Sequence, residues 1–122
     1  LFWVMFYPKD KIASIKNVSA ADESRPNVIL ILLDALRADH LNLYGHERIT
    51  AYNLAKFSQR AVVFGKTYSS TSWTKPSIAT LFTGLHPGVH GVNWWPKELP
   101  DVLPTLAEVL KDEGYFTAGF HR

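Results

Sequence analysis

The 122-residue sequence predicts an α/β fold with mostly parallel strands, and three observations carry that prediction. Residues 28–33, Val-Ile-Leu-Ile-Leu-Leu, form an unbroken apolar run that stops on the charge of Asp34. Such a run without period-2 alternation fits a strand covered on both faces. Residues 76–83 place Ile78, Leu81 and Phe82 at i, i+3 and i+4, the stripe of a helix. From Thr105, a third segment sets Thr105 and Glu108 in capping-box spacing and Leu106, Val109 and Leu110 on one face. It stops at Gly114, and the apolar run 115–120 follows.

Composition bounds the rest. The length fits one domain at most, enough to bury a core. Apolar content of 47%, with four Trp, five Tyr and seven Phe, belongs to a globular chain and excludes a disordered one. A net charge of +2, with no basic run and no aromatics interleaved with Lys or Arg, gives no case for a nucleic-acid partner. There is no cysteine, hence no disulfide framework and no thiolate site.

In chain order, residues 1–25 read as an apolar segment and a polar linker, and 26–122 as the domain. The first seven residues are all apolar or aromatic and cover about a third of the roughly 20 needed to span a bilayer. They read equally as the tail of a membrane anchor lying upstream of residue 1 or as a segment packing on the domain. The linker contains Asn17-Val18-Ser19, a formal glycosylation acceptor of little weight on its own. A strand over 28–33 is favoured by Pro26 before it and Asp34 after it, with a short buried helix as the competing reading. Residues 53–60 suggest a helix with Leu54 and Phe57 on one face, and 61–64 a strand ended by Gly65. The helix over 76–83 has Gly84 as its natural C′ residue. Residues 85–104 hold four prolines and two glycines and read as a loop. A parallel sheet rarely finishes on a fresh core strand, so more chain is expected after Arg122.

Two positions carry chemistry. Thr74 stands two residues before Pro76 at a helix start, where first-turn N–H groups and the helix dipole favour the anion of a sulfate or phosphate ester. Asp34 places a carboxylate at the C-terminal end of a buried strand, where open α/β sheets put ligand chemistry. Together they suggest metal-assisted attack of a threonine on an oxyanion ester. The plainer readings are a helix N-cap for Thr74 and a strand-end cap for Asp34. Arg37 and Asp39 read as a pair bracing the loop after Asp34. His40, His46, His86 and His90 have no tight ligand spacing, and His90 is the best of them for a contact near the site. Lys75 reads as solvated, and Trp73, Trp94 and Trp95 as core or pocket wall.

The segment Arg25-Pro26-Asn27-Val28-Ile29-Leu30-Ile31-Leu32-Leu33-Asp34, followed by Leu36-Arg37-Ala38-Asp39-His40-Leu41 and Tyr44-Gly45, resembles the opening of the sulfatases of the alkaline phosphatase superfamily. So do Ser72 to Gly84 with Leu85-His86-Pro87 and His90-Gly91, and the stretch from Leu103-Pro104-Thr105 to Ala118-Gly119. The resemblance implies a layered alkaline-phosphatase-like α/β sandwich, of which this chain is the N-terminal portion. It implies Asp34 as the first metal-binding aspartate and Thr74 as nucleophile and metal-facing oxygen. The ion would be divalent: Ca2+ for a sulfatase, or Zn2+, Mn2+ or Mg2+ for a phosphoester enzyme.

Three positions depart from the formylglycine sulfatases. Thr74 stands where they convert a Cys or Ser, Ile78 where the Cys/Ser-x-Pro-x-Arg motif has its arginine, and Ala35 where an Asp-Asp pair has its second member. Thr74 is similar instead to the nucleophile of the superfamily's phosphodiesterases and phosphoethanolamine or phosphoglycerol transferases. The expectation is a metal-dependent sulfatase-like hydrolase acting on a small-molecule, glycan or lipid ester. The alternatives are a phosphoester enzyme or transferase using a Thr alkoxide, and a non-catalytic sulfatase-like domain. An oxygen-ligand set takes about six donors, so further ligands are expected beyond Arg122 and the 122 residues alone are expected to be inactive. A periplasmic, extracellular or outward-facing membrane-anchored location goes with the family.

Overall fold

The computed structural model describes residues 25–121 in full and, for residues 2–8, the path of the backbone. The polar linker and Asn17 lie outside the described residues. The chain divides into two compact units, Leu33–Tyr68 and the remainder.

In the larger unit, strands β1 (Phe2–Pro8), β2 (Val28–Leu32) and β3 (Tyr115–Phe120) form a sheet in the order β2-β1-β3. β1 is antiparallel to both neighbours, with Trp3 opposite Ile31 on one side and Phe120 on the other. This corrects the parallel pairing expected from sequence. β2 and β3 do run in the same direction, but the leading apolar segment lies between them and takes up the hydrogen bonds of both. The structure pairs residues 2–8 into this sheet. No helix among the described residues is long and apolar enough to cross a membrane.

Coverage of β2 on both faces is not found either. Val28, Leu30 and Leu32 are half-buried, while Ile29 and Ile31 are 55% and 51% exposed. An unbroken apolar run thus behaves, within this chain, as a strand with one covered face.

Three helices complete the unit, α2 (Thr74–Thr83), α3 (Pro87–His90) and α4 (Leu106–Asp112), and α1 (Tyr52–Ser58) belongs to the other unit. α2 stops because Gly84 adopts φ 70°, a left-handed conformation that costs a residue with a Cβ but not glycine, and its N–H closes on the Thr80 carbonyl. α3 replaces the loop expected there: Pro87 at the first helical position, His86 as N-cap and left-handed Gly91 after it make one helical turn. α4 carries the anticipated capping box and packs against β3. The best-buried residues, Pro76, Ala79, Pro87, His90 and Val92, gather where α2 meets α3.

The smaller unit holds two single-turn 3-10 helices, Ala38–His40 and Asn42–Tyr44, and helix α1 (Tyr52–Ser58). Asn42 Oδ1 accepts the Ala51 N–H at 2.9 Å, and Thr50 Oγ1 donates to the His40 carbonyl at 2.5 Å, so the start of α1 is tied to these turns. The strand expected over 61–64 is not formed. A strand needs a neighbour for its backbone groups. Here Val62 is 82% exposed, and the Phe64 carbonyl accepts the Tyr44 hydroxyl at 3.1 Å.

Candidate functional site

Thr74 is the first residue of α2 and is exposed. The N-cap position belongs to Trp73, which makes no side-chain cap, so the N-cap reading of Thr74 does not hold. The first helical hydrogen bond runs from Ser77 N–H to the Trp73 carbonyl at 3.2 Å. Pro76 brings no N–H, so of the first three helical positions only Thr74 and Lys75 carry an amide proton.

The turn before Thr74 is held by hydroxyls. Ser77 Oγ donates to the Thr71 carbonyl at 3.0 Å and lies 3.0 Å from Ser69 Oγ. Ser70 Oγ donates to Thr80 Oγ1 at 3.1 Å, and Thr71 Oγ1 accepts the Trp73 N–H at 3.3 Å. Residues 69–73 are thereby laid along the face of α2 that carries Ser77 and Thr80, which are neighbours at i, i+3. Lys75 is not simply solvated: its Nζ sits 4.6 Å from the centroid of the Trp95 ring, a cation–π contact. Trp73, Trp94 and Trp95 are exposed here and form no part of the core.

Asp34 closes the extended run that begins with β2 and belongs to the other unit, Leu33–Tyr68. Its Oδ1 accepts the N–H of Ala35 at 3.0 Å. Ala35 has φ 55°, a left-handed conformation that is uncommon for a residue with a Cβ. Backbone held this way clusters at ligand-binding turns. Just beyond, Arg37 and Asp39 pair as anticipated, through Nε–Oδ1 at 3.0 Å and Nη2–Oδ2 at 2.5 Å. That bond with Arg37 holds the Asp39 carboxyl below the usual carboxylate range.

Asp34 and Thr74 offer oxygen donors, the type a hard divalent cation takes. Among the described residues, no three His, Cys, Asp or Glu side chains come together to hold a metal. Each of the two, Asp34 and Thr74, is by type an oxygen donor of the kind such a ligand set uses. His40 and His46 stack on each other with ring centroids 5.5 Å apart, and His86 Nδ1 caps α3 by accepting the Gly88 N–H. His90 is buried and reaches Thr80 on α2, not the exposed end where Thr74 stands.

Sequence reasoning missed the hydroxyl lattice. Its signal was present in the density of Ser and Thr from Thr67 to Thr83, with Ser77 and Thr80 spaced for one helix face.

Comparison with known proteins matches residues 26–122 to a family described as Sulfatase. The chain is 34% identical over 111 residues to an ulvan-active sulfatase of Formosa agariphila, covering 90% of this chain and 21% of that protein. It is 30% identical over 106 residues to human steryl-sulfatase, covering 78% of this chain and 18% of the relative. With an N-acetylgalactosamine-6-O-sulfatase of Bacteroides thetaiotaomicron it shares 24% identity over 115 residues, covering 84% and 21%. The chain spans about a fifth of the length of these relatives. No solved structure matches.

Proposed function

The chain belongs to the sulfatase family, and from that premise we propose that it carries the nucleophile of a sulfate-ester hydrolase, Thr74. The observation that carries the reading is the place of Thr74 within the matched region: exposed, first in α2, on a turn fixed by side-chain hydroxyls. Thr74 Oγ1 gives up its proton and forms a bond to sulfur while the bridging S–O bond of the ester breaks. The departing oxygen takes a proton and leaves as the alcohol. Water then attacks sulfur, the Oγ1–S bond breaks, and sulfate is released with the hydroxyl restored. The positive end of the α2 dipole would favour the charge that develops on the non-bridging oxygens.

Asp34 and Thr74 would contribute oxygens to a divalent cation, Ca2+ for a sulfate ester. Such an ion supplies charge neutralisation and makes a poor hydroxyl nucleophile competent. The relatives' names point to esters of glycans and of sterols, and a sulfated glycan or lipid is the substrate class we propose.

A second reading, phosphoester chemistry with Zn2+, Mn2+ or Mg2+, is favoured by two residues. Thr74 is not a substrate for formylglycine conversion, and Ile78 stands in place of an arginine. Both readings share the threonine. Thr74→Ala in the complete gene product should abolish hydrolysis of 4-nitrophenyl sulfate and bis(4-nitrophenyl) phosphate alike. It should change folding stability by no more than about 1 kcal/mol, as exposed substitutions do. Unchanged turnover in that variant removes Thr74 from the chemistry.

A further inference from the structure

We infer that His90 is a positioning residue for Thr74, acting through Thr80. The inference rests on the reading of Thr74 as nucleophile. His90 is 1% exposed, and each ring nitrogen has a partner. Nδ1 accepts the Val92 N–H at 3.1 Å, which assigns the ring proton to Nε2. Nε2 then donates to Thr80 Oγ1 at 3.1 Å. Ser70 Oγ donates to the same oxygen at 3.1 Å, so two donors converge on Thr80 and fill its acceptor capacity.

One side of that oxygen is thus bound to a rigid core group and the other to the segment leading to Thr74. Ser70 is followed by Thr71, whose carbonyl is held by Ser77 and whose hydroxyl holds the Trp73 amide. Trp73 is the N-cap from which α2 starts. Loss of the His90–Thr80 bond frees the Thr80 hydroxyl to rotate away from Ser70 and loosens the segment that aims Thr74. A misplacement of about 1 Å at a reacting atom costs on the order of 100-fold in rate.

A merely structural His90 would loosen the packing around it without singling out the segment before Thr74, and three variants separate the two roles. Thr80→Val removes the shared acceptor at nearly constant shape. His90→Asn keeps an acceptor for the Val92 N–H and loses the reach to Thr80. His90→Gln keeps a donor toward Thr80. The readouts, in the complete gene product, are amide hydrogen exchange and the kinetics of 4-nitrophenyl sulfate hydrolysis. Thr80→Val and His90→Asn should speed exchange at Trp73 and Ser77 by about tenfold, the effect of one hydrogen bond on a local opening. Val109 and Glu113 in the α4 region should be unmoved. The same variants should lower kcat roughly 10- to 100-fold at unchanged KM, and His90→Gln should recover most of both losses.

Wild-type exchange at Trp73 and Ser77 in Thr80→Val overturns the inference. So does equal acceleration in α4, or a His90→Gln no better than His90→Asn. If the wild type turns over no ester, the proposed function fails, and the exchange pattern alone decides for or against positioning.

Discussion

Ala35 donates its N–H to the Asp34 carboxylate at 3.0 Å from a left-handed backbone, φ 55°. Asp34 therefore orients its own side chain through the residue that follows, and that residue bears the conformational cost. The turn is not chosen by propensity, since alanine is a poor occupant of this conformation.

Glycine at position 35 should relieve that cost. The left-handed conformation costs a residue with a Cβ about 1–2 kcal/mol, while the added freedom of glycine in the unfolded chain costs roughly 0.4–1 kcal/mol. Ala35→Gly should leave the protein more stable by about 0.5–1 kcal/mol in urea unfolding. A loss of that size instead would show the turn to be unstrained.

The α4 capping box makes a pH prediction. The Thr105 N–H and then the Thr105 hydroxyl hold the Glu108 carboxyl below its ordinary value. Because the folded value lies below the unfolded one, the contribution is complete above the unfolded carboxylate range. It is lost as pH falls through the folded value. Glu108→Gln should therefore be less stable than wild type at neutral pH, with the two unfolding curves converging in acid. Thr105→Ala should cost about 1 kcal/mol at neutral pH. A constant gap between Glu108→Gln and wild type from neutral to acid pH would contradict the assignment.

Elements closed by local chemistry were legible from sequence. The stop of α2 at Gly84, the box of Thr105 and Glu108, and the Arg37–Asp39 pair all depend on residues within four positions of one another. Features set by distant partners were not legible. Residues 61–64 have the composition of a strand but, among the described residues, no strand beside them, and residues 2–8 gave no sign of pairing with both β2 and β3. Parallel or antiparallel direction is decided by such partners, and apolar runs look alike in either. At the site, Thr74 and Asp34 were singled out by position, whereas the role of Thr80 needed the His90 contact to become visible.

Metal binding tests Asp34 directly. Asp34→Asn keeps the size and one oxygen acceptor while removing the charge. In the complete gene product it should weaken Ca2+ binding at least about tenfold, as seen by calorimetry, because hard cations depend on anionic oxygen ligands. Equal affinity and stoichiometry in wild type and variant would remove Asp34 from the ligand set.

The central claim, that the Thr74 oxygen forms a covalent bond to the substrate, is tested most directly by trapping it. The complete gene product is mixed with 4-nitrophenyl sulfate or bis(4-nitrophenyl) phosphate, quenched in acid during turnover, digested, and sequenced by tandem mass spectrometry. A sulfuryl or substituted phosphoryl group on Thr74 is the predicted result, and its identity selects between the two ester classes. A covalent adduct on a different side chain, in a sample that is turning over, would contradict the account.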